Sequence, residues 1–312
     1  MQTFNQIEAF FRPLPANIAE FIGSSDYQAF SDDSLKDEDN AAWIMRLELN
    51  TRQPWLDCVQ WIRCVDRLAE NDLLDGGSRF QTFYRCWQDL RTRNIVASDG
   101  LEASVLHSIW HRWFQPQRDE LRIQTWENYL DAIDTYHQPN LTIETLQDFD
   151  RMLDALAGNF FQLFPFLEPH QFPGARAIGC IDQFYNIMRD LREDADLGVC
   201  YFPKEILDRF GLDRQQMLDR TAIDTANYRD MMAFWFDEYL PPLIQNSHDF
   251  LEADDLHPSW QILRYWSLHR YSRIEQVFYV CNLDYTQFPE VYWDAVRRDL
   301  DRDRSSWMSN VI

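Results

Sequence analysis

Apolar residues return every three or four positions along most of this chain, the spacing of helices that bury one face. The pattern begins at Ala41 in AAWIMRLEL, resumes in WLDCVQWIRCVDRLAE and stops at the Gly76-Gly77 pair. It predicts further helices over 79–94, 101–114 and 119–136, punctuated by Pro116 and Pro139. Another runs from about Thr142 through ALAGNFFQLFPF to Pro165, and a long one from 174 to 196 stops at Gly198. Pro203 opens a short helix that ends at Gly211. The remainder, 213–311, reads as three or more helices broken at Pro241-Pro242, Pro258 and Pro289. Residues 1–40 differ: a short amphipathic piece precedes SSDYQAFSDDSLKDEDN, a polar stretch expected as loop or frayed helix start. No Gly/Ser linker, low-complexity tract, internal repeat or shift in composition interrupts the rest. The expectation is a partly irregular N-terminal segment, 1–40, followed by one all-α domain, 41–312.

Composition agrees with long helices and short connections. Only 9 of 312 residues are glycine, and five of them fall between 158 and 211. Glycine sits where backbone must turn or approach something closely, so that segment is singled out. The 12 Trp, 22 Phe and 13 Tyr suit a large helical core or the enclosure of a large apolar ligand, and composition does not choose between them. A net charge of -22, from 51 acidic and 29 basic residues, repels nucleic acid and anionic membrane surfaces unless a basic patch is segregated. No such patch is present, so no nucleic-acid partner is expected. Lys36 and Lys204 are the only lysines, which fits either a salty cell interior or genome composition. Six scattered cysteines without a C-x-x-C pair read as reduced thiols of a cytoplasmic protein. No signal-peptide pattern opens the chain, and no apolar run reaches the ~20 residues of a membrane span. The protein is expected to be soluble, or at most to rest on a membrane.

The sharpest segment for chemistry is Gln183-Phe-Tyr-Asn186-Ile-Met-Arg189-Asp190-Leu-Arg-Glu193-Asp194. On a helix, Asn186, Asp190 and Asp194 are four apart and share a face, which Gln183 extends. Two stacked carboxylates repel by a few tenths of a kcal/mol, a cost that a cation between them offsets. Magnesium suits such a place, since it takes oxygen ligands and bridges one or two carboxylates to substrate phosphates. Read alone, the pair is better taken as an ordinary solvated acidic face, since acidic pairs on helices are common.

The whole string resembles the second aspartate-rich motif of squalene and phytoene synthases, approximately Q-x-x-N-I-x-R-D-x-x-E-D, at every fixed position. The likeness continues through Gly198, Tyr201-Phe202-Pro203, Glu205, Leu207, Phe210 and Gly211, and upstream through Ala177-Ile-Gly179. The first motif of that family is matched by Arg63, Asp66 and Glu70, with glutamate where the family usually has aspartate. A third stretch, Asp148 to Gly158, resembles the family's Y-x-x-Y-C-x-x-V-A-G helix. Ala157-Gly158 fit, and small residues there would admit a prenyl chain or a neighbouring helix. Met152 stands at the tyrosine implicated in carbocation chemistry, Phe161 at a second glycine, and Val199 at an arginine that helps hold diphosphate.

The resemblance implies an isoprenoid-synthase-type helical bundle around a central cavity. It implies magnesium-dependent, head-to-head condensation of two prenyl diphosphates, farnesyl or geranylgeranyl. The product would be of squalene or phytoene type, or its cyclopropyl diphosphate intermediate. Asp66, Glu70, Asp190 and Asp194 would bind magnesium, and Arg63 and Arg189 would stabilise the departing diphosphate. Gln183, Asn186, Gly158, Phe161 and Tyr201 would contact substrate, and Phe160, Phe164 and Phe184 would join Phe161 in lining the cation's pocket. Peripheral membrane contact for product release is allowed, and the oligomeric state is open. The departures keep a different class in play: a non-catalytic relative that retains the fold as an assembly or interaction module. Against it, unpaired buried carboxylates are expensive, yet Asp66, Asp190, Asp194 and Arg189 all remain. A head-to-tail or cyclising terpene synthase would share the metal logic but lacks the string through Pro203.

Other constellations are weaker. His107 and His111 share a helix face without an evident third ligand, beside Trp110 and Trp113, which favours packing. Arg270, Tyr271 and Arg273 could reach a diphosphate or pair with surface acid. No phosphate-binding glycine loop, H-E-x-x-H or G-x-S-x-G occurs.

Overall fold

A computed structural model describes residues 33–95, 101–115, 117–138 and 140–308, together with Ile18. Every regular element among them is helical, and no strand occurs there. In chain order the α-helices are α1 (Asp33–Ala41), α2 (Leu49–Asp75), α3 (Arg79–Arg93), α4 (Leu101–Ile109), α5 (Glu120–Tyr136), α6 (Leu146–Leu153) and α7 (Asn159–Leu163). They continue as α8 (Phe172–Asp196), α9 (Lys204–Arg209), α10 (Arg214–Leu218), α11 (Ala226–Ala233), α12 (Leu240–Leu251), α13 (Pro258–Val280) and α14 (Phe288–Met308). The all-α expectation holds, and the residues pack as two compact units: 61–253, and 1–60 with 254–312.

Local chemistry explains most of the boundaries. Thr145 begins α6 with a reciprocal capping box, accepting from the Asp148 backbone while Asp148 accepts from that of Thr145. Gly76, at φ +68°, ends α2 in the left-handed region that glycine enters without strain. Pro258 and Pro289 lie in first turns, where a missing N–H costs nothing. Pro241-Pro242 do not break the helix as expected. A π turn, Phe234–Tyr239, leads from α11 directly into α12, and the prolines occupy the first turn of the new stretch. Two more π turns, Trp110–Phe114 and Asp154–Gly158, follow α4 and α6.

Within 61–253, α8 packs against α6, α7, α12 and the Asp154–Gly158 turn. Its closest approach is at Gly179, where an added Cβ would lie 2.3 Å from the Ala157 carbonyl oxygen. The backbone that the small pair Ala157-Gly158 admits is therefore that of α8. Arg176 of α8 ties the same turn down through Asp154 (2.9 Å) and Asn159 (2.8 Å). A chain of rings, Trp61 on Trp113 (5.0 Å between centroids), Trp113 on Trp126 (6.1 Å) and Trp126 on Tyr129 (5.5 Å), joins α2, the first π turn and α5.

The unit formed by 1–60 and 254–312 is organised around an acid. The run Lys36-Asp37-Glu38-Asp39, at the end of the stretch expected as loop or frayed helix start, is helical and buried. The 40/41 boundary, drawn where the apolar repeat begins, falls inside α1. Asp39 accepts from Arg273 and from the Tyr292 hydroxyl (2.5 Å), and its carbonyl accepts from Trp266 (2.6 Å). Arg273 also binds Asp299 at 2.6 Å, and Arg270 donates to Asn40. Of these arginines, considered for diphosphate, Arg273 instead neutralises the buried acid Asp39 and Arg270 binds an amide oxygen, both within their own unit.

Candidate functional site

Helix α2 presents Arg63, Asp66 and Glu70 one turn apart, and α8 presents Gln183, Asn186, Asp190 and Asp194 in the same way. The extended segment after α8 carries Tyr201. Burial first, then the charges of Asp194, Glu70, Asp190 and Asp66, push the Tyr201 phenol well above its usual range. All four expected carboxylates therefore lie within electrostatic reach of one hydroxyl, although their helices are over a hundred residues apart. The two motifs come together, and that phenol stays protonated.

The four acids are held differently. Asp190 receives a bidentate fork from Arg189, at 2.8 and 2.7 Å, and the guanidinium is buried. Arg189, expected to face a departing diphosphate, is here turned onto its neighbour. Asp66 has a neutral clamp: the Tyr129 hydroxyl of α5 donates to its Oδ1 at 2.6 Å. The other Asp66 oxygen is 3.9 Å from Arg63. Burial, then the charge of Asp66, drives the Tyr129 phenol upward as well. His137, just past α5, is held neutral by burial against the pull of Asp66.

Oxygen donors dominate this cluster, which suits a hard cation such as magnesium. Asn186 donates to Asp182 at 3.1 Å, while its own Oδ1 is buried with no hydrogen-bond partner among the described residues. A bound cation, or a water on it, would satisfy that acceptor. Among the described residues no three His, Cys, Asp or Glu side chains converge into a cage of their own. The donor set fits magnesium of the kind that draws its remaining ligands from water and a phosphate-bearing substrate.

The remaining expected residues divide. Phe161 is buried against Phe160 and Phe164, both 5.0 Å away, and Phe160 meets Tyr129 edge-on at 6.0 Å. Phe184 belongs to another cluster, with Tyr239 (5.7 Å) and Trp235 (6.2 Å). Gly158 lies in the π turn beneath α8, Met152 is fully buried, and Val199 is buried too. Arg214, from α10, sends its guanidinium back to the Gly198 carbonyl at 2.5 Å, next to Val199. His111 meets the adjacent Trp110 edge-on at 4.8 Å, and both His107 and His111 are exposed. A half-open cleft of about 530 Å³ is lined by Leu153, Cys180, Tyr239 and neighbours, and by none of the expected site residues.

Tyr129 and Arg214 were not among the sequence candidates. Tyr129 is 63 positions from its partner and carries no motif spacing. An isolated tyrosine in an amphipathic helix reads as core.

Comparison with known proteins gives the following matches. The family model for squalene/phytoene synthase matches residues 35–240. A 15-cis-phytoene synthase from Synechocystis is 36% identical over 63 residues, which is 20% of this chain and 18% of that protein. A dehydrosqualene synthase crystal structure superposes with a TM-score of 0.61 at 14% identity, covering 96% of this chain and 99% of that one. The squalene synthase HpnC of Alicyclobacillus acidocaldarius gives a TM-score of 0.56 at 15% identity, covering 92% and 95%. Likeness at such low identity concerns the fold. Among the described residues no helix is long and apolar enough to cross a membrane.

Proposed function

Because the chain belongs to the squalene/phytoene synthase family, we propose that it joins two prenyl diphosphates head to head at the cluster around Tyr201. The observation that carries this reading is that the charges of Asp66, Glu70, Asp190 and Asp194, from two separate helices, all act on that one hydroxyl. Those four carboxylates would hold magnesium, with the Asn186 Oδ1 turned to the same ion or its water. Bound there, the metal would neutralise diphosphate charge and make it a better leaving group.

The chain's own residues supply the rest. Arg63, beside Asp66, is placed to receive diphosphate oxygens through its planar fork. Arg189 reaches a diphosphate only by exchanging its fork from Asp190, so substrate and Asp190 compete for it. Tyr201 keeps its proton and serves as a donor among acids. Gln183 extends the polar face of α8, and Phe160, Phe161 and Phe164 offer aromatic faces that attract a cation. Met152 has no hydroxyl and is enclosed, so rearrangement beyond the cyclopropyl diphosphate would need another donor. That absence also favours a second reading, a relative that retains the fold without turnover.

The test uses purified full-length protein with magnesium and farnesyl or geranylgeranyl diphosphate, with and without NADPH as the hydride source that a squalene-type product requires, followed by analysis of the extracted products. A squalene- or phytoene-type hydrocarbon, or the cyclopropyl diphosphate, is expected, and Asp190→Ala and Asp194→Ala are expected to abolish it while leaving the helical content unchanged. Consumption of neither substrate, with any divalent metal, would hand the case to the non-catalytic reading.

A further inference from the structure

We propose that Tyr129 is a positioning residue for the first carboxylate helix, fixing Asp66 for its cation without neutralising it; this rests on the magnesium and diphosphate reading of the site. The phenol donates to Asp66 Oδ1 at 2.6 Å from a different helix. Its ring is locked by Trp126 at 5.5 Å and Phe160 at 6.0 Å, so the hydroxyl has little freedom to leave. Carboxylates that ligate metals are themselves hydrogen-bonded, and those outer partners set ligand orientation.

The identity of the donor matters. A guanidinium would hold Asp66 as firmly but would cancel much of its charge, as Arg189 does at Asp190. The phenol fixes one oxygen and adds no charge of its own, while the other oxygen faces Arg63 at 3.9 Å, beyond direct hydrogen-bond length. Asp66 is then oriented at hydrogen-bond distance by a neutral donor, and Asp190 by a charged one.

The experiment measures manganese binding in the presence of inorganic pyrophosphate, by electron paramagnetic resonance, for full-length wild type, Tyr129→Phe, Asp66→Asn and the double variant. Tyr129→Phe is expected to weaken manganese binding by about 10- to 100-fold, the usual effect of removing an outer partner. Its kcat at saturating metal should stay near that of wild type, and the loss should vanish in the Asp66→Asn background. A folded Tyr129→Phe that binds manganese as wild type does, or a loss that persists beside Asp66→Asn, overturns the proposal and leaves the reading of the site standing. Wild type that binds no manganese with pyrophosphate overturns both. Should Tyr129→Phe fail to fold, 3-fluorotyrosine placed at position 129 of the otherwise native chain keeps ring and hydroxyl. Its fluorine resonance is expected to move when magnesium and pyrophosphate are added, and an unmoved resonance refutes the proposal.

Discussion

Replacing Gly179 with alanine is expected to separate α8 from the Asp154–Gly158 turn. The new methyl would sit 2.3 Å from the Ala157 carbonyl oxygen, 2.6 Å from its carbon and 2.9 Å from the Gly158 nitrogen. All three are backbone atoms, so no side chain can swing away and the helices must part by about 1 Å to restore ordinary contact. Overpacking of this kind costs about 1–3 kcal/mol, and rigid neighbours put this site near the upper end. Alanine recovers about 1 kcal/mol through its better helix propensity. The net loss is then about 2 kcal/mol, a fall of roughly 4–8 °C in melting temperature for a cooperative unit of about 150–250 residues. The matched control is Gly158→Ala, whose methyl meets the Asp154 Oδ1 at 2.8 Å but no backbone nearer than 3.7 Å. That carboxylate, although held by Arg176, is a side chain that shifts more easily than backbone, so this change is expected to cost about 1 kcal/mol, less than Gly179→Ala. Urea and thermal denaturation followed by circular dichroism would compare them. Equal stability of Gly179→Ala and wild type, or a larger loss at Gly158, would refute the close-approach argument. The same shift moves Asp190 and Asp194 on α8, so prenyl diphosphate turnover by folded Gly179→Ala should also fall.

Two further predictions concern charge. Asp39→Ala removes a buried acid that answers Arg273 and Tyr292, and it is expected to cost about 3 kcal/mol by denaturant titration; a loss below about 1 kcal/mol would mean the pair is solvated. At alkaline pH, Tyr239 retains its proton in the folded state, chiefly through burial and then through its bond to Asp150, whereas the unfolded phenol titrates near 10. Stability is therefore unaffected by this group below about pH 10 and falls above it, by about 1.4 kcal/mol per pH unit. Phenolate absorbance for it should rise only together with unfolding, and early ionisation in the folded protein would contradict the assignment.

Helices and motif faces were legible because both are local. The i, i+4 recurrence at Asp66 and Glu70, and at Asn186, Asp190 and Asp194, needs only the helical repeat, and Thr145 announces α6 through an acid three residues on. What escaped depends on partners far along the chain. LKDEDN has the composition of a solvated loop, yet Asp39 is buried because Arg273 and Tyr292 reach it across 234 and 253 positions. Tyr129 was hidden for the same reason. Arg189 is a subtler case: its helical placement was clear, but that its fork would close on adjacent Asp190 is a matter of rotamer rather than pattern. Pro241-Pro242 misled because a proline pair ends a helix only where its missing hydrogen bonds are needed, and the π turn before it removes that need.

Those π turns bear on how this chain is aligned with others. The turns at Asp154–Gly158 and Phe234–Tyr239 each hold one residue more than an α-helical turn would, so everything beyond is rotated by about 100° about the axis while the helix runs on uninterrupted. Counting back from Gly158 to Met152 crosses the Asp154–Gly158 turn. There, position along the chain and position around the helix part company. In a relative whose helix lacks that turn, the side chain on the corresponding face is offset by one, and residue equivalences across it are properly drawn by superposed faces rather than by number.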